Sequence, residues 1–462
     1  MTLIKSISGI RGTVGGKVGE NLTPIDAVKF GCAYGSWLKK NSDDTNISVV
    51  IGRDARISGD MIQNFVQNSL ISLGINVIDL GLSTTPTVEL MVKEYNANGG
   101  IVITASHNPA HWNALKLLDN NGEFLNSKSG EEIVKISESN SYVFSEVFDL
   151  GSVSKIENSM KTHIDSILSL DIVNTDLIKK TNLKVVVDGI NSSGGIIVPM
   201  LLNELDINYS TIFCDPSGDF QHNPEPLKKN LNELCKKVVE EKADLGIAVD
   251  PDVDRLVFIC ENGKIFGEEN TLVACADYVL SKNPGPTVSN LSSSRALIDI
   301  TKSYNQPYYA SAVGEVNVVA EMKSKQAVIG GEGNGGVIYP KSHYGRDAIV
   351  GIGLFLSLLC ERKVKASELL SSYPKYYMTK EKMNLSNEIN LDSILTELSK
   401  KYNHKDINVI DGLKIDFKES WVHLRKSNTE PIIRIYSEAK TLEKSIDLVE
   451  NIQKEINSII NL

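Results

Sequence analysis

The sequence predicts an α/β protein assembled from several related domains, and three observations lead there. Short β-branched runs recur, each followed by a glycine-rich or polar turn and then a helical pattern. At 462 residues the chain exceeds what one hydrophobic core serves, and three or four domains are admissible. Hydrophobic residues make up 41% and charged residues 23%, as in an ordinary soluble globular protein.

Taken in order, the run Ile47–Ile51 precedes Gly52-Arg53-Asp54-Ala55-Arg56, Val185–Val187 precedes Asp188–Gly195, and Leu245–Val249 precedes Asp250–Arg255. Runs of this length, alternating with helical segments, read as buried strands of mixed or parallel sheets. Apolar positions repeat at three and four over Pro24–Lys40, Gly59–Leu73 and Asn230–Lys242, which predicts helices with one buried face. The recurring strand–loop–helix theme argues for repeated α/β domains rather than one long sheet. A polar, Ser/Glu-rich segment from about Asn126 to Glu157 closes the first domain, and a turn at Asn262–Gly263 closes a second. Ser371–Asn390 loses periodicity and reads as a linker, after which Leu391–Leu462 forms a compact α+β tail.

A formal charge of -10 argues against nucleic acid or an anionic membrane surface as the main partner, while leaving room for a phosphorylated small molecule. Met1–Gly16 has no apolar core of a secretory signal. The longest apolar stretch, Ile349–Cys360, is broken by glycines and shorter than the roughly 18 residues of a membrane span. The cysteines at 32, 214, 235, 260, 275 and 360 form no Cys-x-x-Cys pair, so reduced thiols are expected rather than disulfides or a zinc site. A cytoplasmic protein is the expectation.

Four constellations carry chemistry. Thr104-Ala105-Ser106-His107-Asn108-Pro109 follows the strand-like Gly100–Ile103. Asn108 suits a helix N-cap and Pro109 the first helical position, so a helix starting here would aim its amides and positive dipole end at Ser106 and stabilise a phosphate there. Lys116 lies further along and can return towards the site as a proton donor or acceptor. A capped helix with a surface serine is the alternative. Asp250, Asp252 and Asp254 alternate on a loop after an apolar strand, the hard oxygen set that suits Mg²⁺. An EF-hand is a poor match, because Arg255 stands where the calcium loop has glycine and Leu256–Cys260 is a hydrophobic strand; a solvated acidic turn is the other alternative. Gly330–Gly336 is followed by a strand-like run, not a helix, which rules out a dinucleotide fingerprint. Glu332 and Asn334 in it suit hydroxyl recognition, against a plain glycine turn. Arg425-Lys426-Ser427-Asn428-Thr429-Glu430-Pro431, with Arg434 beyond, has the donors of a phosphate cradle.

In this order the four segments resemble the α-D-phosphohexomutase superfamily, whose hallmarks are a phosphoserine loop, a D-x-D-x-D-R metal loop, a G-E sugar loop and an R-x-S-x-T-E-P phosphate loop. Ser8–Gly12, Gly52–Arg56 and Phe220–Pro226 match as well, so the resemblance spans nearly the whole chain. It implies three related α/β domains with mixed sheets and a smaller C-terminal α+β domain around a central cleft, here 1–155, 156–262, 263–372 and 373–462. It also implies a phosphoserine at Ser106, with Mg²⁺ held by Asp250, Asp252, Asp254 and a phosphoserine oxygen. Lys116, Arg11 and His343 would move protons or support that transfer. Arg255, Glu332, Asn334, Arg425, Ser427, Asn428, Thr429 and Arg434 would bind substrate, and a hexose 1,6-bisphosphate would act as activator. Two departures mark this chain. Ala114 stands where the family has glycine before the lysine, and Asn334 stands where the sugar loop has serine. The latter version resembles the archaeal-type branch of phosphoglucosamine mutases, isomerases that interconvert glucosamine 6-phosphate and glucosamine 1-phosphate for amino-sugar nucleotide synthesis. A phosphomannomutase/phosphoglucomutase is the runner-up. A hydrolase using Ser106 with a histidine lacks the G-x-S-x-G elbow, and a silent sugar-phosphate binder sits poorly with an intact Ser106, Lys116 and aspartate set. Relatives include monomers and dimers, with a homodimer favoured here.

Overall fold

Helix Pro24–Asn41 begins where local chemistry dictates. Thr23 accepts from the Asp26 amide, the Asp26 carboxylate accepts from the Thr23 amide, and proline occupies the first turn. In the computed structural model, which describes residues 2–6, 9–384, 391–426 and 432–460, the other periodic stretches likewise become helices, Gly59–Ser72 and Asn232–Glu240 among them. The chain divides into two compact units, Met1–Tyr278 with Asn334–Leu369, and Val279–Gly333 with Leu370–Leu462.

In the first unit, the described residues form a seven-stranded sheet in the order Ile4–Ser6, Gly9–Thr13, Trp112–Leu118, Gly99–Ile103, Ser48–Arg53, Asn76–Leu82, Val153–Lys155. Three antiparallel pairings are followed by three parallel ones. Strand alternation gives each face its own core. Val49, Ile51, Ile101, Ile103 and Leu115 pack with helices Pro24–Asn41 and Gly59–Ser72, while Val50, Val102 and Leu118 pack with helix Thr85–Glu94. A second mixed sheet runs Leu256–Cys260, Leu245–Val249, Lys184–Asp188, Asn208–Ile212. The apolar stretch Ile349–Cys360 lies inside helix Ala348–Arg362 and is buried on every side, the signature of a core helix. Phe355 of that helix stacks on Phe258 at 3.8 Å between ring centroids and meets Phe266 edge-on at 5.0 Å. No helix among the described residues is long and apolar enough to cross a membrane.

In the second unit, Thr287–Asn290 runs parallel between Tyr308–Ser311 and Ile329–Glu332. The C-terminal sheet is antiparallel throughout, in the order Tyr377–Asn384, Ile432–Ala439, Trp421–Lys426, Leu413–Asp416, Asp406–Asn408. Ile394 and Leu398 of helix Leu391–Lys401, with Val449, Ile452 and Ile456 of helix Leu442–Ile460, cover it. The expected linker at 371–390 is corrected here: Tyr377–Asn384 is a strand of eight residues. It lies at the sheet edge with no residue fully buried, so its sequence carries none of the alternation that marks a half-buried strand.

Truncating the central ring of the aromatic cluster, Phe355→Ala, is expected to destabilise the first unit by about 3–5 kcal/mol. The check is a fall in its urea midpoint at unchanged slope.

Candidate active site

The loop around Ser106 is not built as the local signals predict. Asn108 and Pro109 start no helix; residues 105–111 turn, and the chain returns as strand Trp112–Leu118, paired with both Gly9–Thr13 and Gly99–Ile103. Burying Ala114, Leu115, Leu117 and Leu118 between two strands outweighs a cap preference worth about 1 kcal/mol. The helix expected to aim its dipole at Ser106 from Asn108 is therefore not there. Arg56 takes over the loop. Its guanidinium, 1% exposed, donates through Nη1 to the carbonyls of Pro109 (2.7 Å) and Trp112 (3.0 Å), and through Nη2 to those of Asn108 (2.6 Å) and Ser106. Asp54 Oδ2 accepts from Arg56 Nε at 3.0 Å and from Thr104 Oγ1 at 2.6 Å, and Thr104 Oγ1 accepts from the Ser106 amide at 2.9 Å. This web holds Ser106 at φ +47°, a left-handed conformation unusual for a non-glycine residue.

The three aspartates converge. Asp250, Asp252 and Asp254 are fully buried, and one carboxylate oxygen from each lies within 4.8 Å of the others. Val253 between them has φ +63°, an outlier for a β-branched residue. Ser106 Oγ donates to Asp250 Oδ2 at 2.7 Å and lies 3.3 Å from His107 Nδ1. Lys116 Nζ reaches Asp252 Oδ2 at 2.6 Å and Asp254 Oδ2 at 3.2 Å. Thr85 Oγ1 donates to Asp252 Oδ2 at 2.5 Å, and Arg346 Nη2 to Asp254 Oδ2 at 2.7 Å. Burial, then the charges of Asp254 and Asp252, push the Asp250 carboxyl well above the usual range. Burial would raise Asp254 too, but Arg346, Lys116 and Arg255 hold it well below that range. Asp252 Oδ1 and Asp254 Oδ1 are buried with no hydrogen-bond partner among the described residues. Two such oxygens beside a carboxyl driven towards protonation fit a hard divalent cation such as Mg²⁺.

Arg11 Nη1 donates to Asn108 Oδ1 at 3.0 Å, on the loop around Ser106. Arg255 Nη1 pairs with Glu225 Oε1 at 3.2 Å, in a loop whose His222 is held by Asp188 at 3.0 Å. His343 is caged: Nδ1 lies 3.3 Å from Glu89 Oε2 and Nε2 lies 3.4 Å from Asp347 Oδ2. Asn334 Oδ1 accepts from the Gly336 amide at 3.1 Å. In the second unit, Glu332 ends a strand and accepts from Asn290 Nδ2 at 2.7 Å and the Gly314 amide at 3.1 Å. Arg425 stands opposite Arg434 on adjacent strands, and Lys382 stands opposite Arg434 on the other side. Like charges in cross-strand register repel, so this row suits an anion; Asp411 Oδ2 accepts from Arg425 Nε at 2.8 Å. Ser427, Asn428 and Thr429 lie outside the described residues. Sequence reasoning missed Thr85, Arg346 and Lys382 entirely and saw Arg56 only as part of a motif. Of these, Arg346 had a local signal, since it stands three residues from the singled-out His343 and one before Asp347, the cap of the apolar helix.

Two measurements follow from this geometry. Arg56→Lys, which cannot serve four carbonyls at once, is expected to destabilise the first unit by about 2–4 kcal/mol and to raise amide exchange across residues 104–112. Against the lowering effect of burial, Asp347 and Glu89 push His343 up to about 10. Its contribution to stability is complete below the ordinary imidazole range near 6.5 and disappears as pH rises through about 10. The stability gap between the native chain and His343→Gln should therefore narrow across that window in denaturant titrations.

Comparison with known proteins matches all four domain models of the phosphoglucomutase/phosphomannomutase family: alpha/beta/alpha domain I at residues 3–143, domain II at 161–263, domain III at 268–377 and the C-terminal domain at 382–455. A Thermococcus kodakarensis protein named phosphoglucomutase/phosphomannomutase is 38% identical over 451 residues, 96% of each chain. A phosphoglucosamine/phosphogalactosamine mutase of Sulfurisphaera tokodaii is 34% identical over 459 residues, covering 96% of this chain and 97% of that one. The crystal structure of a phosphoglucomutase/phosphomannomutase family protein from Burkholderia thailandensis superimposes with a TM-score of 0.84 at 24% identity, over 99% of this chain and 98% of that chain, a likeness of fold. With every domain matched in sequence order and relatives above 30% identity along almost the full length, the chain belongs to the phosphoglucomutase/phosphomannomutase family within the α-D-phosphohexomutase superfamily, and is an isomerase of its four-domain α/β architecture.

Proposed function

We propose that this isomerase interconverts glucosamine 6-phosphate and glucosamine 1-phosphate through a phosphoserine at Ser106 and a sugar bisphosphate. The observation that carries the reading is the contact of Ser106 Oγ with Asp250, inside a buried aspartate cluster where two carboxylate oxygens without a hydrogen bond suit a cation. Asp250, Asp252, Asp254 and a phosphoserine oxygen would hold Mg²⁺, which when bound supplies positive charge that stabilises the transferring phosphoryl group.

The chain's own residues supply the rest. A sugar hydroxyl attacks the phosphorus on Ser106; the new O–P bond forms as the Oγ–P bond breaks, and the hydroxyl proton ends on Ser106 Oγ. After the bisphosphate reorients, Oγ attacks the other phosphorus, and its proton ends on the sugar oxygen released. Lys116, beside Asp252 and Asp254, is the first choice for moving these protons, and Arg11 supports the loop through Asn108. His343, with both nitrogens facing carboxylates, serves in support. Arg255, Glu332 and Asn334 would engage the sugar. Arg425 and Arg434, with Ser427, Asn428 and Thr429, would grip the phosphate that is not reacting. A hexose 1,6-bisphosphate would prime Ser106.

The substrate assignment rests on Asn334 in the sugar loop and on likeness to the Sulfurisphaera mutase. A second reading, mannose or glucose phosphates, is favoured by likeness to the Thermococcus protein. The test is phosphorus NMR of each hexose 6-phosphate with Mg²⁺ and a trace of glucose 1,6-bisphosphate, with Ser106→Ala alongside. Glucosamine 1-phosphate should appear, and the variant should lower its rate by at least about 10⁴-fold. Conversion of mannose or glucose phosphates alone would transfer the assignment to the second reading, and conversion of none would end the mutase reading for this chain.

A further inference from the structure

The aspartate loop is gripped from two sides by helix starts. The Thr85 amide, at the first residue of helix Thr85–Glu94, donates to the Asp252 carbonyl at 2.9 Å, beside the Thr85 side-chain bond to the same residue. The Ala348 amide, at the first residue of helix Ala348–Arg362, donates to the Val253 carbonyl at 3.1 Å, two residues from Arg346 on Asp254. The same two helices are joined a second time by a buried chain of polar groups. Glu89 faces His343, His343 faces Asp347, and Asp347 Oδ2 lies 3.0 Å from His163 Nε2. His163 Nδ1 lies 2.9 Å from Thr87 Oγ1, and Thr87 Oγ1 lies 2.6 Å from Thr84 Oγ1, the cap of the first helix. Asp347 caps the second helix, its Oδ1 accepting from the Ile349 amide at 2.8 Å. Every member of the chain is buried, and Gly345 leaves no room for a side chain, since a Cβ there would meet Glu89 Oε2 at 1.9 Å.

We infer that Glu89, His343, Asp347 and His163 are positioning residues that fix the distance between the two helix starts and so hold Asp252 and Asp254 in ligating geometry. The inference rests on the reading of those aspartates as the metal loop. It gives a function to charges that a purely structural core would avoid: two carboxylates and two imidazoles cost desolvation, and well-packed apolar residues would hold two helices together as well. What an ionic chain adds is a fixed register between its ends. A strained Val253 between two ligands needs that register, because either helix start sliding would let the loop relax and separate the carboxylates.

The test uses the full chain, at one phosphorylation state of Ser106 verified by intact mass, with Mn²⁺ as probe read by electron paramagnetic resonance. Asp347→Asn should weaken Mn²⁺ binding about 10-fold or more, and Glu89→Gln, which keeps an acceptor for His343 but removes the charge, should weaken it less. The apparent metal constant of turnover should rise in parallel while KM for the sugar phosphate stays within about twofold, a split that general destabilisation does not produce. Should Asp347→Asn lose its melting transition, Glu89→Gln decides. A folded variant with native Mn²⁺ affinity overturns this inference alone. A native chain that binds no Mn²⁺ overturns the metal-loop reading and the inference with it.

Discussion

Three carboxylates buried within 4.8 Å of one another are the constraint around which the first unit is arranged. At that spacing and with little water to screen them, their repulsion is several kcal/mol per pair at an effective dielectric near 20. The protein meets it unevenly. Lys116, Arg346 and Arg255 gather at Asp254 and hold it ionised, whereas Asp250 has Ser106 and backbone amides for company and is driven towards its protonated form. The deficit of positive charge therefore sits at the serine end of the cluster. On the proposed reaction, a cation that enters there is drawn towards Ser106, the residue that would carry the transferable group.

That requirement also explains why Lys116 lies on a strand. Side chains alternate along Trp112–Leu118, so Leu115 and Leu117 enter the core beneath the first two helices while Lys116 and Leu118 face helix Thr85–Glu94. A helix begun at Asn108 would have swung position 116 through a different path, without the anchoring of both neighbouring strands. The cap signature at Asn108-Pro109 is real local chemistry, but it competes with pairing partners about 15 and 100 residues away that no local pattern reveals. Deprived of a helix end, the loop around Ser106 has its carbonyls held by Arg56 instead.

What was legible in the sequence was the chemistry of single loops: a serine after a buried strand, alternating aspartates after another, arginines near the C-terminus. Strand runs such as Leu245–Val249 and Leu256–Cys260 appear where their apolar residues place them. What was not legible was whatever depends on distance in space. Thr85 and Arg346 touch the aspartates from positions about 90 to 170 residues away, and each looks in sequence like an ordinary helix-start residue. The apolar stretch at 349–360 was informative only about membranes, although the Asp347 just before it caps the helix. Lys382 was hidden in a stretch whose lack of periodicity is a property of edge strands, and only the register with Arg434 gives it meaning.

The aspartate loop and the Lys382–Arg434–Arg425 row follow one logic with opposite sign, and the difference in their burial bears on turnover. Each places like charges side by side and so favours a ligand of the other charge. The acidic cluster is fully buried, where repulsion and carboxylate oxygens without hydrogen bonds are costly, so a cation there would relieve much. The basic row consists of exposed or half-buried side chains, where water and salt screen it and cross-strand repulsion is worth about 0.2–1 kcal/mol per pair. Relief there is modest, so a phosphate bound to it would gain little and leave readily. On the proposed reaction this asymmetry is useful. The metal must stay through many cycles, whereas the bisphosphate must exchange one phosphate for the other within each cycle, and a grip too strong on the waiting phosphate would stabilise the intermediate more than the transition state that follows it.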